Sequence, residues 1–167
     1  MEIHAGYLPG CIGRIAELHG TYYARASGFG VPFEAKVARE LAEFCLRFEP
    51  DADGLWLACV DGTVQGALVL DARHVADEGA HLRWFIMSDA LRGSGVGNRL
   101  LGTALRFSRA RGYRRLFLWT FDELHAARHL YLKHGFRLET EMHGRTWGRE
   151  VNEQKYVLDL EDPRPDG

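Results

Sequence analysis

Hydrophobic residues follow two different periods along the chain, which separates helical from extended segments. In Ile12–Arg25 and Pro32–Phe48 the apolar residues recur every three to four positions, as in a helix with one buried face. Leu55–Val60 and Thr63–Leu70 are instead strand-like runs, and Asp61-Gly62 between them predicts a tight hairpin turn. The sequence therefore predicts two helices followed by a β-hairpin.

The second half of the chain alternates between strand and helix patterns. A short strand, Glu2–Leu8, is also predicted at the start of the chain. After the hairpin the predicted order is strand, helix, strand, helix and two strands: Leu82–Met87, Val96–Arg111, Leu116–Thr120, Leu124–His134, Phe136–Met142 and Val151–Leu160. This order predicts an α/β (α+β) fold, with a mixed, mostly antiparallel sheet of about six to seven strands and helices on both faces.

Composition indicates one globular domain. The chain has 167 residues, of which 46% are hydrophobic, so we expect a single domain over 1–160 and a disordered tail over 161–167. The net charge of −2 argues against nucleic acid or an anionic membrane as a partner. There is no membrane-length apolar run or signal peptide, and Cys11, Cys45 and Cys59 form no CxxC pair. These features predict a cytoplasmic protein with reduced thiols.

Three glycines open the helix that follows the strand Leu82–Met87. The segment Arg92–Asn98 reads RGSGVGN, and glycines at this place let backbone N–H groups approach an anion at the positive end of a helix. A P-loop is excluded, because Asn98-Arg99 stands where Lys-Ser/Thr is required. A dinucleotide fold is disfavoured by the glycine spacing and by the lack of an acidic residue after Leu116–Thr120. We expect this loop to bind a pyrophosphate.

The same segment matches the R/Q-x-x-G-x-G/A motif and resembles the GNAT family of N-acetyltransferases. A second segment, from Ala127 to Phe136, matches that family's A-x-x-L-Y-x-x-x-G-F pattern at the family's distance from the first. The resemblance covers Leu82–Phe136, and it departs at Leu124, where the family usually has an asparagine that contacts the cofactor. Several stretches also resemble the acetyltransferase half of proteins fused to a MarR-type regulator.

The resemblance implies an acetyl-CoA-dependent N-acetyltransferase with splayed central strands. It implies direct transfer to the primary amine of a small molecule, of which an amino acid is one candidate, and it leaves a homodimer open. Backbone N–H groups around Ile86 and Met87, at a bulge in their strand, would polarise the thioester, and Tyr131 would protonate the thiolate. The implied cofactor-binding residues are Phe85, Ile86, Met87, Arg92, Gly93, Ser94, Gly95, Val96, Gly97 and Asn98.

The general base and the acceptor site stay open at this point. Candidates for the base are an activated water or one of five side chains: Glu34, Glu123, Glu153, His19 and His143. Aromatic residues that could line an acceptor pocket are Tyr22, Tyr23, Trp84, Trp119 and Trp147. His125 and His129 lie four residues apart, but no third ligand is evident, so no metal is expected.

Two other functions are alternatives to acetyl transfer. A non-catalytic module that binds acyl-CoA would keep the glycine loop, and Leu124 in place of asparagine is its best support. Tyr131 argues against that alternative. A nicotinamide-dependent oxidoreductase is disfavoured by the glycine spacing.

Overall fold

The computed structural model describes residues 1–160, in which helices cover both faces of a seven-stranded sheet. The predicted disordered tail, 161–167, lies outside the described residues. The strands are β1 (Glu2–Ala5), β2 (Gly54–Val60), β3 (Thr63–Asp71), β4 (Ala80–Met87), β5 (Arg115–Phe121), β6 (Arg137–Gly144) and β7 (Val151–Asp159). The helices are α1 (Cys11–Ser27), α2 (Val31–Leu46), α3 (Val96–Ala110) and α4 (His125–Lys133). A short 3₁₀ turn at Asp89–Leu91 joins β4 to the glycine loop.

The sheet has the order β1-β2-β3-β4-β5-β7-β6. Neighbouring strands are antiparallel except β4 and β5, which are parallel. The β2–β3 hairpin turns at Asp61 and Gly62, whose φ angles of 49° and 76° are those of a tight primed turn. The predicted mixed, mostly antiparallel sheet is thus confirmed.

The two central strands separate soon after they pair. β4 and β5 pair at Ala80↔Leu116 and His81↔Phe117, while β4 continues to Met87 and β5 to Phe121. The backbone groups that would have bonded across the remaining length therefore face a gap. This confirms the expected splay of the central strands.

A bulge in β4 changes the face to which its residues point. Ala67 pairs with Ile86 and Val69 pairs with Arg83, so β4 has one more residue than β3 over this interval. Trp84 lies inside the bulge with φ of +50°, a backbone conformation that residues other than glycine rarely adopt. The bulge thus lies just before Ile86 and Met87, where it was expected.

Each face of the sheet has its own core. Leu82, Leu100 and Tyr156 belong to the cluster under α3 and α4, whereas Ile15 and Phe44 belong to the cluster under α1 and α2. Because of the bulge, Phe85 and Met87 lie against the first cluster and Trp84 against the second. None of the helices in residues 1–160 is long and apolar enough to cross a membrane.

Candidate active site

The gap between β4 and β5 opens into a cavity of about 850 Å³. Residues from both sides of the sheet line it. Gly93 and Tyr131 approach from the side of α3 and α4, and Tyr22, Tyr23 and Phe33 approach from the side of α1 and α2. A single cavity therefore joins the glycine loop to an aromatic pocket on the opposite face.

The glycine loop exposes the first N–H groups of α3 at one end of this cavity. Gly93 and Gly95 have φ angles of 74° and 84°, which only glycine adopts without strain. The first intrahelical bond runs from the Arg99 N–H to the Gly95 carbonyl, at 3.2 Å, and no side chain caps the helix start. The N–H groups of Val96 and of the next two residues thus have no helical acceptor. This arrangement fits a diphosphate, whose charge the helix dipole also favours.

Gly97 lets α3 lie close against β4. A Cβ atom at this position would lie 3.0 Å from Met87 Cε, 3.4 Å from Leu130 Cδ2 and 3.5 Å from Phe85 Cζ. The absence of a side chain therefore brings the glycine loop next to the strand predicted to lie along the cofactor. The structure brings these two predicted groups together, although their cofactor contacts stay predictions.

The side chain of Arg92 makes its contacts with other residues of the protein. Its Nη2 donates to the Met87 carbonyl at 2.9 Å, its Nε donates to Asp89 at 3.0 Å, and the guanidinium lies 4.0 Å from the Tyr22 ring centroid. Two other loop side chains also bond locally: the Ser94 hydroxyl donates to the Leu91 carbonyl, and Asn98 Oδ1 lies 3.0 Å from His134 Nε2. The loop therefore offers mainly backbone N–H groups to a ligand.

Tyr131 lies inside the cavity wall with a protonated hydroxyl. Only 7% of the residue is exposed, and its ring packs against Phe85, Phe136 and Tyr156 at centroid distances of 6.3, 5.9 and 6.2 Å. Burial raises the pKa of the hydroxyl well above its usual range, and nearby Tyr23 raises it further. A hydroxyl that stays protonated at neutral pH has the protonation state that a proton donor requires.

The five candidate base residues differ in whether they line the cavity. Glu153, Glu123 and His19 line the cavity, whereas Glu34 and His143 are not among its lining residues. Glu123 is paired with an arginine of the β6–β7 loop. His19 lies within 2.8 Å of a backbone carbonyl through Nδ1, and burial lowers its pKa to about 4. His19 is therefore uncharged at neutral pH.

Aromatic side chains form most of the wall on the side of α1 and α2. The five predicted aromatic residues, Tyr22, Tyr23, Trp84, Trp119 and Trp147, all line the cavity. Phe33 and Phe121 line it as well and were not predicted, because helical or strand spacing indicates core packing equally well. The rings of Tyr23 and Phe33 lie 5.0 Å apart, and those of Phe121 and Trp147 lie 5.6 Å apart.

A chain of ion pairs borders the same cavity and was not foreseen. Lys36 and Arg83 bond the two carboxylate oxygens of Glu40 at 2.6 and 2.8 Å, and Arg83 also bonds Asp71 at 3.3 Å. Burial alone would raise the pKa of Asp71, but hydrogen bonds and charges from Arg47 and other arginines lower it to about 2. No sequence motif links these residues, because they come from α2, β3 and β4 and meet only in the fold.

Among the described residues, neither the metal-binding candidates nor the thiols form a cluster. Within 1–160, no group of three or more side chains of the metal-binding types lies together, and His125 and His129 are both exposed on α4. The absence of a metal stays a prediction. The cysteines are free thiols, and none of the three is among the residues that line the cavity in the described part of the chain.

Comparison with known proteins agrees with this geometry. The sequence model of the acetyltransferase (GNAT) family matches residues 15–136, so the chain belongs to this family. The protein is thus an acyltransferase. Among proteins of curated function, none matches the chain in sequence.

Solved structures share the fold at low sequence identity. A protein assigned to the GNAT family from Desulfovibrio desulfuricans is 24% identical, with a TM-score of 0.71 over 95% of this chain and 98% of its own. A Salmonella typhimurium protein assigned as an acetyltransferase, solved with its cofactor acetyl-CoA, is 15% identical, with a TM-score of 0.71 over 100% and 99%. A spermidine N-acetyltransferase from Vibrio cholerae is 16% identical, with a TM-score of 0.69 over 95% of each chain. The resemblance to MarR-fused proteins stays a prediction.

Proposed function

We propose that this protein transfers the acetyl group of acetyl-CoA to the primary amine of a small molecule, with both substrates bound together. The observation that carries this proposal is the continuity of the cavity through the gap between β4 and β5. A donor bound at the glycine loop and an acceptor bound among the aromatic side chains would meet at this gap. Direct attack then needs no carrier group on the protein.

The proposed donor site extends from the glycine loop along β4. The backbone of Gly93–Asn98 holds the diphosphate of acetyl-CoA, with Arg92 fixing the loop against Met87. The strand segment Phe85–Met87 lies along the rest of the donor, and its N–H groups beyond the bulge polarise the thioester carbonyl. The Salmonella typhimurium protein that shares this fold was solved with acetyl-CoA, and this supports acetyl-CoA as the donor.

Transfer follows in one step at the thioester carbon. The amine nitrogen attacks this carbon, the carbon–sulfur bond breaks, and the departing sulfur takes a proton from the Tyr131 hydroxyl, which is restored by the proton that the nitrogen loses. The burial of Tyr131 within the cavity wall supports this role. An acetyl-cysteine intermediate is disfavoured, because no thiol among the described residues lines the cavity.

The lining of the pocket supports a small molecule as the acceptor. Tyr23, Phe33, Trp84 and Trp147 line it, and concave pockets with mainly aromatic and apolar walls are typical of small-molecule sites. A spermidine N-acetyltransferase shares this fold, which supports a small amine as the acceptor. Amino acids remain in the class of acceptors to be tested.

The proposal is tested by release of coenzyme A. Purified protein is mixed with acetyl-CoA and each member of a panel of monoamines, amino acids, polyamines and aminoglycosides, and free thiol is measured. We expect amine-dependent thiol release and a product whose mass has increased by one acetyl group. Binding of acetyl-CoA without acceleration by any amine would instead identify the non-catalytic acyl-CoA-binding module. Activity confined to a protein substrate would contradict the small-molecule acceptor.

A further inference from the structure

Among residues 1–160, three carboxylates line the cavity, and ion pairs neutralise two of them. Glu40 bonds Lys36 at 2.6 Å and Arg83 at 2.8 Å. Glu123 accepts two hydrogen bonds from Arg149, at 2.6 and 2.8 Å. The charge of each carboxylate is thus compensated within the protein, and neither needs a ligand for balance.

Glu153 is the third carboxylate, and it differs from the other two. Only 4% of the residue is exposed, yet it lines the cavity. Within residues 1–160, none of the ion pairs and side-chain hydrogen bonds includes its carboxylate. On β6, a Cβ atom at Gly144 would overlap Glu153 Oε2, so the glycine provides the space that the carboxylate occupies. The Glu153 carboxylate borders the cavity without an ion-pair partner among the described residues, so a cationic ligand there would supply the missing counter-charge.

Within residues 1–160, the lysine and arginine side chains that line the cavity are already engaged. Lys36, Arg83 and Arg92 each lie within 3.0 Å of a carboxylate oxygen. Burial lowers the pKa of His19 to about 4 and that of His81 to about 3, so neither ring is charged at neutral pH. Among these groups none is free to bind a carboxylate of the acceptor, whereas Glu153 is free to bind a cation.

The surroundings of Glu153 favour an apolar molecule with one cationic end. Phe121 is its neighbour across β5 and β7, and the rings of Trp147 and Tyr23 lie 5.6 and 6.0 Å from that of Phe121. The faces of aromatic rings attract ammonium groups and also bury apolar surface. The pocket therefore combines one uncompensated negative charge with aromatic walls.

We infer that Glu153 binds the ammonium group of the acceptor, and that the acceptor is a primary amine with an aromatic or apolar body and no carboxylate. The inference rests on the proposed function for the reaction that follows binding. Before it attacks, the ammonium gives one proton to the paired Glu153 carboxylate. Glu153 then becomes a carboxylic acid, and the freed nitrogen lone pair forms the new bond to the acetyl carbon as the carbon–sulfur bond breaks and the sulfur takes a proton from Tyr131. The proton on Glu153 returns to solvent, and the second proton that the nitrogen loses restores the Tyr131 hydroxyl before the next cycle.

A matched pair of amines tests the substrate class. 2-Phenylethylamine and L-phenylalanine share the same body and amino group and differ in one carboxylate. We expect kcat/KM for 2-phenylethylamine to be higher by about tenfold or more, because the extra carboxylate would be buried without a cation. Equal or better use of L-phenylalanine would overturn the inference while leaving acetyl transfer itself established.

Two variants test Glu153 itself. Glu153→Gln removes the charge and keeps the shape, and we expect KM for 2-phenylethylamine to rise about 30-fold or more. The KM for acetyl-CoA should stay within about twofold, since the loop is untouched. Gly144→Ala displaces the carboxylate without removing it and should raise the amine KM in the same direction. Glu150→Gln is the control, because this carboxylate lies in the same hairpin but is exposed and outside the cavity.

A binding measurement separates failure of the inference from failure of the proposed function. Calorimetry follows 2-phenylethylamine binding to protein saturated with coenzyme A, where no acetyl group is present to transfer. Binding to the wild type that Glu153→Gln loses would support the inference even if no amine is ever acetylated. Equal binding to both proteins, with unchanged thermal midpoints, would overturn it whatever the activity.

Discussion

At the scale of single residues, burial decides what Tyr131 can do. The same residue type is common in helix cores, and its position before Gly135-Phe136 supplied the reason to assign it a role. In the fold it is 7% exposed and belongs both to the core under α4 and to the cavity wall. Core packing and proton donation are therefore compatible for this side chain.

Replacement of Tyr131 by phenylalanine tests proton donation. Tyr131→Phe should lower kcat by about 100-fold, since general acids typically contribute 100-fold or more, and should change KM for acetyl-CoA little. Tyr156→Phe is the matched control, because it removes a buried hydroxyl that bonds Gln154 and does not line the cavity. Steady-state rates for both variants across pH measure the effect. Unchanged turnover in Tyr131→Phe would contradict the acid role.

His19 should make the fold sensitive to acid. Burial lowers its pKa to about 4 from 6.5, so the unfolded chain binds more protons than the folded protein between these values. The free energy of unfolding should therefore fall as the pH drops from 6.5 to 4, by at most roughly 3 kcal/mol from this group. Urea titrations at several pH values measure the slope, and His19→Leu should reduce it. An unchanged slope in that variant would show that other groups cause the acid sensitivity.

At the scale of elements, the start of α3 is set by glycine geometry. Gly95→Ala places a side chain at φ of +84° and should destabilise the fold by about 1 kcal/mol. It should also weaken acetyl-CoA binding by about tenfold, because the N–H groups of the first turn shift. Gly102→Ala, inside the same helix, is the control and should stabilise by up to about 1 kcal/mol with affinity unchanged. Calorimetry and thermal unfolding measure both quantities, and normal affinity in Gly95→Ala would contradict the role of the loop.

Hydrophobic periodicity predicted the four helices well because each buries one face, whereas continuous apolar runs indicated β2 and β3, which are buried on both faces. The predicted helices and strands all occur, and the hairpin turn lies at Asp61 and Gly62 as expected. The first strand was predicted too long, since it ends at Ala5 rather than Leu8. The φ of Trp84 could not be foreseen, because tryptophan rarely adopts positive φ and the bulge depends on pairing with β3.

At the scale of the whole molecule, the sequence was informative about the donor side and weak about the acceptor side. The glycine loop and Tyr131 belong to two local motifs, so the resemblance to the GNAT family was enough to predict that they act together. Glu153 lies on β7, and neither its burial nor its lack of a counter-charge follows from its neighbours in the sequence. The ion pairs of Glu40 likewise depend on contacts between separate elements. The proposed acceptor specificity therefore depends on contacts that form only in the tertiary structure.

Donor and acceptor are proposed to meet in one cavity. The most direct test is the initial-velocity pattern with acetyl-CoA and the preferred amine varied against each other. Simultaneous binding predicts double-reciprocal lines that intersect, with a product carrying one acetyl group. Parallel lines would show that the acetyl group passes through a covalent intermediate on the protein, which would contradict direct transfer across the gap between β4 and β5.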